Sequence, residues 1–401
     1  MTKSITFLHA ADLHLDSPFK GFSDVPEQVF HTMRESTFRA FDQLIQTAIE
    51  KEVDFVLLVG DLFDEEKQSL KAQLHLREGF IQLKEHNIDV FISYGNHDYI
   101  EGNTYPIEYP DNVHIFTDET VTAIPYVKET QTLAHIHGFS YVTRDVRGNK
   151  AQHYTIKDDT VPFNIAMLHG TLHGNHEHDP YAPFRLEDLQ REPFDYWALG
   201  HIHKRSVVQK KPPIVYPGNI QGRHRKERGR KGCYYVDMNQ FETTLEFIPL
   251  QQVKIVAKQF DLTAYTSVTQ IKKAIINEIN KHTADSRLIH LTCISNESQN
   301  ETLGFQSRFT ELVDIINETL LKQQNWQYIH GYDVTIIDQK KLLVDSLFMK
   351  EIKEAITTIS LEDTIDDLYN HREATKQLRA LEKDTIIERA IQYLTEEMSK
   401  K

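Results

Sequence analysis

The stretch YWALGHIHKR sets His201 and His203 one residue apart at the end of an apolar run. In an extended chain residues i and i+2 point to the same side, so both imidazoles can face one point. The segment FLHAADLHLD does the same with Asp12 and His14, again just past a strand-like run. Three more apolar runs end in residues of the same chemical kind: FVLLVGD in Asp61, VFISYGNHD in Asn96, His97 and Asp98, and AMLHG in His169. Taken singly, each has a bland explanation: a His-x-His in a solvated loop, Asp61 as a turn residue, His169 as a satisfied core histidine. Separate explanations do not account for five strand ends that together supply acids, an amide and imidazoles. Gly60, Gly95, Gly170 and Gly200 stand at the same ends, where a tight turn or a close approach to a bound ion needs a residue without Cβ.

Neutral imidazoles with carboxylate and amide oxygens, and no sulfur, suit Mn²⁺, Fe²⁺ or Zn²⁺ better than a lone Mg²⁺, which prefers oxygen and keeps its waters. Asp12, His14, Asp61, Asn96, His169, His201 and His203 are more ligands than one ion takes. Two ions roughly 3.5–4 Å apart, bridged by one carboxylate, would use them all. Such a pair clamps the attacking and leaving oxygens of an in-line displacement at phosphorus and lowers the pKa of water. Asp61 is the bridging candidate, and phosphoester hydrolysis is the reaction expected.

For those ends to meet, the strands must lie side by side with their carboxyl ends at one edge, where open α/β sheets bind ligands. SITFLHA, DFVLLVGD and IDVFISYG read as strands, with helical apolar spacing over 29–50 and 70–84 between them, a β-α-β-α-β order. Shorter strands are expected at 113–116, 133–139, 163–168, 196–199, 207–209 and 232–236. From about 250 the texture changes to strand, helix (268–281), strand, helix (309–322), strand, a small α+β domain. Beyond about 343 the chain reads as helical, with Leu361, Ile365 and Leu368 on one face. This is either a plain helical tail or a docking element whose apolar stripe awaits a partner.

At 401 residues the chain is expected to form about two or three domains. An apolar fraction of 40% with 26% charged residues is that of a globular protein. No signal-peptide pattern and no apolar run long enough for a membrane span is present, so a cytoplasmic protein without membrane association is expected. Cys233 and Cys293 are the only cysteines, which excludes a disulfide framework and a thiolate metal site and suits a reducing compartment. A net charge of −14 argues against a general polyanion binder. Against that trend, GRHRKERGRKG holds Arg223, Arg225, Lys226, Arg228, Arg230 and Lys231 with one glutamate, just after the GHIH run. It is read either as a solvated hairpin or as a sequence-independent, salt-sensitive contact to a phosphate backbone. His173, His176 and His178 read as an exposed loop, because the ligand count is already filled.

The motifs DLH, GDLFD, GNHD, LHG and GHIH, in this order, resemble the calcineurin-like metallophosphoesterase superfamily. Within it the chain is similar to SbcD-type nucleases, the nuclease subunit of the double-strand-break repair complex, and around YPGNIQGRH to their bacterial YhaO branch. The motifs span residues 12 to 224; beyond 250 the likeness is one of layout. The resemblance implies a four-layer α/β/β/α sandwich over residues 1–245, an α+β capping, DNA-binding domain over 250–340, and a C-terminal helical element over 341–401. That last element would dock an SbcC-like (YhaN-type) ATPase, and a homodimer is compatible with this layout. The resemblance also implies that Asp12, His14, Asp61 and His203 hold one ion and Asp61, Asn96, His169 and His201 the other, with Mn²⁺ the expected metal. His97 would face the substrate phosphate, to stabilise the transition state or protonate the leaving oxygen, and Asp98 would orient His97 by accepting its other N–H. Asp64 stands where certain members carry a histidine near the substrate, which leaves the balance of exonuclease and endonuclease action open. The activity expected is metal-dependent DNA hydrolysis. The alternatives are a phosphodiesterase or phosphatase acting on a small nucleotide or protein, and a non-catalytic DNA-end scaffold for the ATPase. The residues beyond 250 and the basic segment weigh against the first, and His97 against the second.

Overall fold

The computed structural model describes residues 3–64, 68–102, 107–174, 180–281, 284–296 and 305–337. The helical element expected over 341–401 lies outside them. Strand β1 (Ser4–Ala10), helix α1 (Glu27–Glu50), β2 (Phe55–Val59), α2 (Leu70–Glu85), β3 (Asp89–Ser93) and β4 (Val113–Ile115) form a parallel β-α-β-α-β series. Next come β5 (Thr122–Lys128), β6 (Gln131–Gly138), β7 (Phe163–His169), the single turn α3 (Leu186–Leu189), β8 (Tyr196–Gly200), β9 (Ser206–Lys210) and β10 (Pro213–Tyr216). A hairpin of β11 (Gly232–Asn239) and β12 (Thr243–Pro249) then returns antiparallel onto β1. The result is two six-stranded sheets, ordered β12-β11-β1-β2-β3-β4 and β5-β6-β7-β8-β10-β9.

Side-chain alternation explains the layers. On β1, β2 and β3 one face (Phe7, Phe55, Leu57, Phe91) packs with Ile136, Ile165, Met167 and Tyr196 of the second sheet. Phe7 stacks on Phe55 at 5.0 Å and meets the edge of Tyr196 at 5.3 Å. The other face (Leu8, Val56, Leu58, Val90, Ile92) takes Phe38, Phe41 and Leu44 of α1 and Leu76 and Phe80 of α2. All five residues of β2, FVLLV, are therefore buried, as expected of a parallel strand covered on both sides. Helix α2 starts at Ser69, whose hydroxyl accepts from the Ala72 amide at 3.1 Å. The outer face of the second sheet, with Leu168, Trp197 and Leu199, packs on Phe139, Tyr154, Phe184 and Phe194. That fourth layer is built mainly of loops, with α3 and a 3-10 turn at Lys150–His153.

Register brings the strand ends level. Ala10 pairs with Leu58, Val59 with Ser93, and His169 with Gly200. A third sheet, ordered β13-β14-β15, consists of β13 (Val253–Asp261), β14 (Ser286–Asn296) and β15 (Gln327–Ile337), and goes with helices α4 (Val268–Ile279) and α5 (Phe305–Leu320). Among the described residues, one compact unit comprises residues up to 258 with 274–291 and 313–332, and a second comprises 259–273, 292–312 and the stretch from 333. No helix among the described residues is long and apolar enough to cross a membrane.

Candidate metal centre

The carboxyl ends of β1, β2, β3, β7 and β8 meet at one edge of the paired sheets, and their side chains converge. Donor atoms of Asp12, His14 and His203 lie within 4.8 Å of one another, and so do those of Asp61, His169 and His201. Asp61 sits between the triads, its Oδ2 3.4 Å from His169 Nε2 and 3.8 Å from His14 Nε2. Asn96 Oδ1 lies 3.2 Å from both His169 Nε2 and His201 Nδ1. The structure thus brings together Asp12, His14, Asp61, Asn96, His169, His201 and His203.

The backbone is bent to aim them. Asp12, His14, Asp61 and His201 have φ of 54°, 44°, 53° and 93°, left-handed values that cost L-residues energy and persist where surroundings impose them. Gly60, with φ 74°, has no Cβ because one would lie inside the His169 ring. A Cβ on Gly95 would come within 2.7 Å of His169 Nε2. Gly60 and Gly95 therefore make room for the Asp61 and His169 side chains rather than for an ion, and Gly170 for the Ala182 backbone.

Electrostatics fit a cation pair. Asp12, Asp61 and Asp98 are all buried within this small volume. Burial pushes the Asp12 carboxyl up, while Asp61, against the same cost, is held well below the usual carboxylate range by His169 and His97. Burial and the neighbouring Arg223 guanidinium keep His14 neutral, ready to donate a lone pair. His14 Nε2 and His203 Nε2 face each other at 3.1 Å, two ligand-type atoms aimed at one point. Buried carboxylates with converging imidazole nitrogens and an amide oxygen are the donor set of divalent metals, so the residues present fit the two ions expected.

Around the ligands the structure corrects two assignments and adds one. Asp98 does not hold His97: its carboxylate accepts the backbone amides of Gly95 and Leu62 at 2.6 Å and of Asp61 at 3.2 Å. It ties two ligand loops together, while burial, and then the Asp61 charge, raise its carboxyl to about 7. His97 instead donates from Nδ1 to the Asp64 carbonyl at 2.7 Å, and its backbone amide donates to Asp61 Oδ1 at 2.9 Å. The basic segment is not a uniform hairpin either. Lys231 is buried, its Nζ donating to the His203 carbonyl at 2.7 Å. Arg225 is paired with Asp24 at 2.6 Å, and Arg223 with Asp64. Lys226, Arg228 and Arg230 are exposed and in no ion pair among the described residues. The one glutamate of the run, Glu227, does what sequence reading missed: its Oε1 accepts from His203 Nδ1 at 2.7 Å. Its Oε2 accepts from the Arg223 amide at 2.7 Å and Asn219 Nδ2 at 2.9 Å. A lone acid inside a basic run next to a ligand loop was the available signal. His173 is exposed, as expected, and His176 and His178 lie outside the described residues.

Two facing sheets with a buried His, Asp and Asn centre at their shared carboxyl edge define a dinuclear metallophosphoesterase. A model of the calcineurin-like phosphoesterase family matches residues 5–205, and the chain belongs to that family. It is similar to the uncharacterized metallophosphoesterase YhaO of Bacillus subtilis (strain 168), 38% identical over 374 residues, 92% of this chain and 91% of that protein. It is also similar to the DNA double-strand break repair protein Mre11 of Methanocaldococcus jannaschii, 25% identical over 388 residues, 91% of this chain and 98% of that protein. With Mre11 of Sulfurisphaera tokodaii the identity is 26% over 272 residues, 65% of each chain.

Proposed function

We propose that this metal-dependent phosphoesterase is a DNA nuclease, with Mn²⁺ as its metal and an SbcC-like (YhaN-type) ATPase as its partner. The observation that carries the reading is His97, set at the rim of a complete two-metal donor set with its proton inventory fixed. Nδ1–H is committed to the Asp64 carbonyl, which leaves Nε2 to hold or give a proton at the substrate. Asp12, His14, Asp61 and His203 would hold one cation, and Asp61, Asn96, His169 and His201 the other. When bound, the pair supplies Lewis acidity and activates water near neutral pH.

The chain's own residues do the rest. His97, half-buried, gives its proton to the departing 3′ or 5′ oxygen, a role suited to an imidazole. The Asp98 carboxylate keeps the Asp61 and Asn96 loops at a fixed spacing. Lys226, Arg228 and Arg230 hold the backbone of the substrate strand. DNA enters the proposal from the Mre11 relatives, whose names carry double-strand break repair, and from these three exposed cations, which are in no ion pair among the described residues. We assign residues 250–340 to a capping, DNA-binding domain, 341–401 to partner docking, a homodimer as a compatible assembly, and the cytoplasm as the compartment.

The test is incubation of linear and closed-circular DNA with the protein in Mn²⁺, Mg²⁺ or chelator, with bis(4-nitrophenyl) phosphate in parallel and His97→Ala as control. Manganese-dependent DNA loss that the variant lacks is expected. Cleavage of the small ester alone, with and without the ATPase, would move the substrate to a small nucleotide or a protein.

A further inference from the structure

Arg223 does not behave as a member of the basic surface run in which it stands. Its side chain is 14% exposed, and its guanidinium pairs with Asp64, itself 13% exposed. Asp64 Oδ1 is also 3.3 Å from His14 Nδ1, so this ion pair abuts a ligand of the metal centre. Arg223 Nε is buried and has no hydrogen-bond partner among the described residues. Its backbone is anchored as well: the amide donates to Glu227, whose other carboxylate oxygen holds the ligand His203. Asp64 thus takes one side of the guanidinium, while the buried Nε donor stays unmatched and carries its desolvation cost until a second acceptor arrives. Phosphate oxygens match the planar fork of arginine as carboxylate oxygens do, and phosphate is the anion that a phosphoester-hydrolysing centre brings beside it.

Asp64 supplies the second half of the argument. Its carbonyl accepts Nδ1–H of His97 and its carboxylate holds Arg223, so one residue sets both groups. The rings of His97 and His14 lie 5.2 Å apart, and the Asp64 carboxylate that pairs with Arg223 lies beside the same His14, so His97 and Asp64, with its arginine, both flank this residue. We propose that Arg223 is a catalytic residue that binds the non-bridging oxygens of the reacting phosphoryl group, with Asp64 as its positioning residue. The assignment rests on the phosphoester-hydrolysing reading of the centre and does not require that the ester be DNA.

The experiment is calorimetric titration of inorganic phosphate into the manganese-loaded full-length protein, comparing wild type with Arg223→Ala and Arg223→Lys and measuring metal content on each. Metal content is expected to be unchanged, and phosphate affinity to fall at least about 10-fold in Arg223→Ala and less in Arg223→Lys. Turnover of bis(4-nitrophenyl) phosphate should fall about 10²–10³-fold in Arg223→Ala. Millimolar guanidinium should restore part of it, and should fail to do so when Asp64→Asn is added, a pattern that a merely structural role does not produce. Equal phosphate affinity in wild type and Arg223→Lys, absence of phosphate binding by wild type, or metal loss in both variants would overturn the assignment. If Arg223→Ala does not fold, Arg223→Lys carries the comparison. Arginine-dependent phosphate binding in a protein that leaves DNA intact would remove the nuclease reading and keep this one.

Discussion

His169 carries the clearest pH signature of the centre. Burial disfavours its charge, but Asp61 outweighs burial and takes the imidazole up to about 9. Nδ1–H donates to the Val59 carbonyl at 3.0 Å, so the labile proton is on Nε2, the atom that faces Asp61 and Asn96. A cation binding Nε2 must displace that proton. At pH 7 metal binding is expected to release a proton from His169, and affinity to rise with pH up to about 9 and then level. Calorimetry in buffers of different ionisation heat counts the proton; metal binding without release at pH 7 would remove His169 from the ligand set. Glu227→Gln keeps the shape but removes the charge behind His203, and should lower metal affinity about 10- to 100-fold in a metal titration, with the far-ultraviolet spectrum unchanged. That these residues converge was legible because each stands at or just past the end of an apolar strand, and in Asp12/His14 and His201/His203 because i,i+2 spacing is a local property. Glu227 was not, because charge counting set it aside as the lone acid of a basic run. Asp98 was assigned to its sequence neighbour His97, whereas two of its three donors, the Asp61 and Leu62 amides, come from a loop that only the fold brings near.

At the scale of elements, the parallel half of the fold could be read and its edges could not. Strands β1, β2 and β3 are apolar on both faces, and α1 and α2 show their stripes in Phe38, Phe41 and Leu44 and in Leu76 and Phe80. Strands β5, β10 and β12 escaped notice for different reasons. β5 is the exposed edge of its sheet and contains Pro125, a residue tolerated only at edges. β10 is four residues long and begins at the second of two prolines, and β12 is a half-exposed edge. The packing beneath the site makes its own prediction. Phe80 is fully buried, 6.2 Å from the Phe41 ring and 5.2 Å from that of Tyr109. Phe80→Ala should cost about 3–5 kcal/mol in denaturant unfolding. Gly95→Ala acts differently, since its Cβ strikes ligand side chains rather than core. It should reduce metal content far more than it shifts the unfolding midpoint, and the reverse order would contradict the account of the loop.

At the scale of the whole molecule, a chain of net charge −14 must concentrate its positive charge where a polyanion is to lie. Counting cations along the run gives six, but the fold takes three off the outer surface: Lys231 onto the His203 carbonyl, Arg225 onto Asp24, and Arg223 inward beside Asp64 at the metal centre. Lys226, Arg228 and Arg230 remain, carried on the loop that Glu227 fastens to the ligand His203. Phosphate contacts release counterions, so each contributes roughly −0.9 to the slope of log affinity against log salt. Replacing these three by alanine should therefore flatten that slope for duplex DNA by about 3. Arg225→Ala alone should leave the slope near that of wild type, because its charge is already spent on Asp24. Fluorescence anisotropy with a labelled duplex, from low to physiological salt, measures both. A steep slope that survives the triple substitution would place the DNA on another surface, and a slope that falls with Arg225 would mean that the Asp24 pair opens when DNA binds.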